Sequence, residues 1–284
     1  MSILVFLAVI GSAAIQASWN VATKRSRANK AALLAVGWTV LGAGIGVAAA
    51  ASGDLRAAID TGAWKFALAS GLIHGAYILT LSWAYAVGEL SVVFPVARGV
   101  GIAGTAVVAR LALGTTLSWA GWMGVGVVVA GTSLIGLCGS TPGKRALDVR
   151  IAVLVGAIIT AYSSVDSMGA RRLPILVLLA AMNLVAGLVA APVLAWRHRE
   201  ATKAVLKAHK LESLGVAVAG SAAYGIVIWA FRHTAAAYIV ALREVSIVIA
   251  AGLSVGLLGE ALNRGKIAGI GLIFAGVIII KLGA

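Results

Sequence analysis

The chain has 284 residues, of which 61% are hydrophobic and 11% charged, and its mean hydropathy is +1.04. Soluble domains carry an apolar share of roughly 45–50%, so the composition excludes a soluble globular fold. The net charge of +14 does not point to nucleic acid, because the basic residues sit in short clusters between long apolar runs instead of on one solvated face.

With about 20 residues as the template for one crossing, the sequence predicts an all-α integral membrane protein of ten transmembrane helices. The first covers 2–22; it starts without a charged leader region and reads as a retained helix, not a signal peptide. Trp19, Asn20 and Lys24 close it. Tryptophan favours the interface, asparagine bonds across helices and lysine reaches out to water. The second helix covers 31–51 and the third 64–86. The third carries His74, Tyr77, Trp83 and Tyr85, and Tyr77 and Tyr85 are spaced to share a face. An aromatic cavity and an interfacial belt are both open to these rings, with Tyr77 and Tyr224 the candidates for a cavity. His74, like His233 later in the chain, is either a packing residue or a gate.

The fourth helix, 91–112, contains Arg98 about eight residues from its start and Pro95 just before it. A charge at mid-span costs about 2.5–3.5 kcal/mol on insertion scales and needs a partner or a purpose. The fifth covers 118–138 and ends at Cys138, the one cysteine, which has no partner for an intramolecular disulfide. The sixth, 149–168, holds Asp166, and the seventh covers 173–195. The polar stretch 196–213 predicts an amphipathic helical piece at the membrane surface. The eighth, 213–231, contains Tyr224 and Trp229; the ninth, 236–258, contains Arg243 and Glu244; the tenth covers 265–282.

Sliding the chain by 145 residues superposes 75–131 on 220–276, bringing Arg98 onto Arg243, Gly124 onto Gly269 and Gly131 onto Gly276. The chain therefore reads as a duplicated five-helix unit, 1–138 and 146–284. Five is odd, so the second copy enters the membrane in the opposite sense, the inverted-repeat design of alternating-access carriers.

Two arginines flanking the middle of a cavity would suit a substrate carboxylate. Alternatively each pins carbonyls or an acid such as Glu244 or Asp166. Arg243 and Glu244 are consecutive and point about 100° apart, so they are poorly placed to neutralise one another. Asp166 and Glu244 are the acids at plausible cavity depth, candidates to take up a proton or to serve as structural ion pairs. "GVGIAG" (99–104) fits a dinucleotide fingerprint but lies inside an apolar helix, where its glycines more plausibly allow close helix contact. The same reading covers Gly121, Gly124, Gly126 and Gly131, and Gly265, Gly269, Gly271 and Gly276. The chain has no P-loop, H-E-x-x-H or G-x-S-x-G, so neither an ATP-driven pump nor a hydrolase is indicated, and no cofactor is expected.

The stretches "ASWNVATK" (17–24), "LSWAYAVGELSVVFPVARG" (81–99), "AYSSVDSMGARR" (161–172) and "ALREVSIVIAAGLSVGLLGE" (241–260), in this order, resemble the EamA-like branch of the drug/metabolite transporter superfamily. The resemblance implies ten helices, a central cavity between inverted halves, and export of small metabolites such as amino acids, or of cationic drugs. It moves Trp19, Asn20 and Lys24 towards the cavity or its gate. The partners it implies are a small-molecule substrate and the lipid bilayer, with no nucleic acid and a functional monomer, in the inner cell membrane. One departure concerns the Gly-Glu pair that often ends the fourth helix of each repeat: the second half keeps Gly259-Glu260, the first has Gly114-Thr115. Lys and Arg concentrate in the loops after the odd-numbered helices, which by the positive-inside rule puts both termini outside, whereas the family resemblance implies cytoplasmic termini.

Overall fold

The computed structural model describes residues 1–25, 28–112, 114–138, 145–258 and 263–283. Among them every regular element is a helix. The elements are α1 (Ile3–Arg25), α2 (Lys30–Ala51), α3 (Asp54–Asp60), α4 (Trp64–Val87), α5 (Leu90–Leu111), α6 (Trp119–Leu137) and α7 (Arg145–Ala170). They continue with α8 (Ile175–Arg197), α9 (Arg199–Ala208), α10 (Lys210–Phe231), α11 (Ala236–Leu242), α12 (Val245–Leu258) and α13 (Arg264–Gly283). Ten stretches are long and apolar enough to cross a bilayer. A 22-residue helix such as α2 is about 33 Å long, which matches a hydrocarbon core of about 30 Å.

Local chemistry sets the helix ends. Asn29 caps α2 by accepting from the Ala32 amide at 3.0 Å, and Ser118 caps α6 by accepting from Gly121 at 2.9 Å. At the start of α5 the Glu89 amide donates to the carboxylate of Asp148, 59 residues away on α7, at 3.0 Å. Gly53 and Gly62 adopt positive φ on either side of α3, a short helix that hydropathy alone did not predict. The polar stretch 196–213 folds as expected into the amphipathic α9, whose Val205 is buried against Ala32 and Leu33 of α2.

The ninth span departs from expectation. It is not one continuous helix: α11 stops at Leu242 and α12 begins at Val245. Across the break the amides of Glu244, Ser246 and Ile247 bond to carbonyls three residues back, the tighter 3₁₀ pattern. The two charged residues of the span, Arg243 and Glu244, occupy this break.

The helices form two compact units, each drawing on both halves of the sequence. The first holds 1–21, 83–164 and 233–284, and the second 22–82 and 165–232. In the second unit α2 packs on α8 and α10, around a cluster of Ala35, Ile78, Ala190 and Leu194.

In the first unit α6 lies along α13 with backbone nearly touching backbone. A Cβ on Gly131 would stand 2.7 Å from the Gly269 carbonyl oxygen, and one on Gly276 2.8 Å from that of Gly124. Residue numbers rise along α6 as they fall along α13, so the two spans run antiparallel. Because Gly124 aligns with Gly269 and Gly131 with Gly276 in the sequence repeat, equivalent glycines meet crosswise, the contact pattern a two-fold relation gives. Of the glycines predicted to allow close contact, Gly121 meets the ring of Tyr238 on α11 instead of α13, and two face open space: a Cβ on Gly126 or Gly271 would meet nothing within 4 Å. Each follows a seam glycine by two residues, about 200° around the helix, and so faces away. The glycines of 99–104 behave as predicted, Gly99 facing Thr132, Gly101 facing Ile159 and Gly104 facing Thr160.

Candidate functional site

The described residues contain two buried polar clusters, one in each unit. In the first unit Arg98 of α5 donates from Nε (2.9 Å) and Nη2 (2.5 Å) to Oε1 of Glu244. Arg98 is 4% exposed and Glu244 0%. This settles what neutralises the charge in the fourth span: an acid 146 residues away, delivered by the break between α11 and α12. Both guanidinium nitrogens use the same carboxylate oxygen. Oε2 of Glu244 is buried with no hydrogen-bond partner among the described residues.

Arg243 has a different partner. Its Nη2 donates to the side-chain amide oxygen of Gln16 on α1 at 2.5 Å. The difference follows from the repeat. Glu244 aligns with Gly99, where an added Cβ would stand 2.8 Å from Oγ1 of Thr132, so the first half has neither an acid at this position nor room for one. Of two equivalent arginines, Arg98 takes the carboxylate and Arg243 bonds to the amide of Gln16. Gln16 was not singled out by sequence, although an amide inside the apolar run Ile3–Val21 is the kind of group that bonds across helices. One turn along α1, Trp19 is half-buried, and its indole Nε1–H is buried without a partner among the described residues.

The second cluster joins three predicted residues from three spans: His74 of α4, Asp166 of α7 and Tyr224 of α10, which are 4%, 0% and 7% exposed. The Tyr224 hydroxyl donates to Oδ2 of Asp166. Nε2 of His74 lies 3.8 Å from that same oxygen, and its ring meets the Tyr224 ring edge-on at 5.5 Å. Nδ1 of His74 is 3.0 Å from the backbone carbonyl of Ser70, one turn earlier. Tyr224, a candidate for substrate contact, is therefore engaged with the carboxylate. Ser70 is the residue of this cluster that sequence reading missed.

Tyr77 is half-buried on α4, and Asn20 is half-buried on α1 next to Trp19. The side chains of Lys24 and Tyr85 and the pair Gly259-Glu260 lie outside the described residues. His233 is exposed just beyond the end of α10. A hollow lined by residues 170–174 and Arg232 gathers three arginines, but they cap backbone carbonyls. Arg232 donates to Ala170 (2.6 Å) and Leu173 (2.5 Å), Arg172 to Met168 (3.0 Å) and Arg171 to Phe231 (3.4 Å). Among the described residues no group of His, Cys, Asp or Glu could hold a metal ion.

Comparison with known proteins agrees with this architecture. Residues 149–282 match the model of the EamA-like transporter family. The chain carries an EamA-like transporter domain. Together with ten apolar spans, this indicates a multi-pass membrane protein with a transporter-like domain. Its fold is shared with a protein of known crystal structure at 21% identity, with 98% of this chain and 97% of the other covered and a TM-score of 0.72. No curated protein matches the sequence.

Proposed function

We propose that this EamA-like protein is a secondary active transporter that exports amino acids or similar small metabolites across the inner cell membrane by alternating access, acting as a monomer. The observation that carries the substrate class is the group of charges in the first unit. Two guanidiniums and one carboxylate leave one net positive charge, an acceptor at Glu244 Oε2, and a donor at Trp19 Nε1. A zwitterion matches this set: its ammonium group suits Oε2, and its carboxylate suits Arg243, whose amide partner is neutral and exchangeable. Trp19 and Asn20 complete the binding set, with Arg98 holding Glu244 in place. Alternating access is supported by the duplicated sequence and the crosswise glycine seam of α6 and α13.

Efflux of cationic compounds is the second reading, favoured by the unsatisfied oxygen of Glu244. The net positive charge of the three groups weighs against it, since a lone cation gains from Oε2 but is repelled by Arg243.

The test is flux of labelled amino acids, non-amino metabolites and a cationic dye into proteoliposomes. Arg243→Ala is expected to lower amino-acid flux at least about tenfold, equivalent to about 1.4 kcal/mol, whereas Gln16→Ala removes only the exchangeable partner and should leave it unchanged or raised. Dye flux is expected to be unchanged or raised by Arg243→Ala. Amino-acid transport at the wild-type rate in Arg243→Ala would overturn the carboxylate site.

A further inference from the structure

We propose that His74, Asp166 and Tyr224 form a proton-binding site, in which one exchangeable proton is held between the His74 ring and the Asp166 carboxylate. Its use as the coupling ion of transport rests on the transporter reading above; the proton site itself does not.

The chemistry of the neighbours assigns the protons. A backbone carbonyl only accepts, so the 3.0 Å contact between His74 Nδ1 and the Ser70 carbonyl requires a hydrogen on Nδ1. In a neutral ring Nε2 then carries a lone pair, and it faces Oδ2 of Asp166 at 3.8 Å. A lone pair opposite a carboxylate oxygen, both buried, is repulsive. Two protonation states relieve it: an imidazolium beside a carboxylate, or a neutral ring beside a carboxylic acid. Each holds one proton more than a neutral ring beside a carboxylate. The Tyr224 hydroxyl also points its hydrogen at Oδ2 and so stabilises the carboxylate that remains when the proton leaves.

The groups that face the pair include Ser70 with His74 from α4, Asp166 from α7 and Tyr224 from α10. The adjoining buried polar pair, Ser221 of α10 with Asn183 of α8 at 2.9 Å, is neutral. Contrast with the first unit gives the site its meaning. Glu244 is paired with an arginine, a side chain that does not give up its proton. Asp166 faces an imidazole, a group that can hold or release a proton. Loss of the proton to water sets the His74 lone pair against Asp166 and drives apart side chains on separate spans. That gives three helices of the second unit two arrangements that differ by one proton.

The deciding experiment needs no substrate. Purified full-length protein in nanodiscs is titrated over roughly pH 5–9, the range in which histidine-linked protons move. Proton uptake is read by potentiometry, the aspartic acid carbonyl band by infrared spectroscopy, and the His74 ring by ¹⁵N NMR. The wild type is expected to take up one proton more than either Asp166→Asn or His74→Gln, while Tyr224→Phe keeps the count. His74 is expected to be the cation or the Nδ1–H form throughout. Equal uptake by wild type and Asp166→Asn, or a His74 ring in the neutral Nε2–H form, overturns the site. If a variant fails to fold, the NMR assignment of the wild-type ring decides alone.

A second arm tests coupling with labelled amino acids in proteoliposomes. The ratio of uptake with a pH gradient to uptake without one is expected near tenfold in the wild type and near one in Asp166→Asn. Absence of amino-acid flux in the wild type would overturn the substrate reading and leave the proton count standing. Equal ratios in both proteins would overturn coupling through this site.

Discussion

Glu244→Gln is expected to destabilise the folded protein by about 3–5 kcal/mol, the range for breaking a buried ion pair by removing one partner. The substitution keeps size and shape but strips the charge, leaving the Arg98 guanidinium buried on α5 with no counter-ion in its pair. Arg98→Met leaves Glu244 in the same position and should cost a similar amount. The double variant Arg98→Met/Glu244→Leu removes both charges, and a buried pair replaced by apolar groups of like volume is often neutral or more stable by about 1–4 kcal/mol. Recovery of the melting midpoint in the double variant, with transport still absent, would assign the pair to substrate handling and not to stability. A Glu244→Gln protein that melts within about 0.5 kcal/mol of wild type would show that the pair is not the neutralising contact. The position inside an apolar span makes the effect large, because no water is at hand to solvate the abandoned charge.

Gly131→Ala and Gly276→Ala should each cost about 1–3 kcal/mol, the range for forcing atoms into a filled interior. The new methyl would fall 2.7 Å from the Gly269 oxygen in the first case and 2.8 Å from the Gly124 oxygen in the second. These are backbone atoms and cannot rotate away, so α6 and α13 must separate and lose contact along their whole length. Gly126→Ala and Gly271→Ala provide the control on the same two helices, since nothing lies within 4 Å of either new methyl. They should be neutral or stabilising by up to about 1 kcal/mol, the helix-propensity gain of alanine over glycine. Thermal melts of all four in one lipid composition check this, and equal losses in both pairs would mean that the seam is not what holds the spans together.

Much of the architecture was legible from the chain alone because the bilayer imposes it. A span must be helical and about 20 residues long, so hydropathy located ten crossings to within a few residues. An unsatisfied charge in such a span is costly, and so Arg98, Asp166, Arg243 and Glu244 stood out, and all four are buried. Small size in an apolar helix pointed to the seam glycines, and helical periodicity would have removed Gly126 and Gly271, which lie on the opposite face.

Pairing was not legible, because a charge in one helix is compatible with partners on several others. Arg98 and Arg243 occupy equivalent places in the repeat, yet one takes Glu244 and the other Gln16. The assignment depends on the break between α11 and α12, which turns consecutive residues towards different helices. Likewise His74, Asp166 and Tyr224 are separated by up to 150 positions and come together only because the second unit is assembled from both halves of the chain. Hydrophobic length is written along one dimension and was readable there. Which polar group meets which is decided by how the helices pack, since within an apolar interior each donor and acceptor must find whatever partner the packing brings within reach.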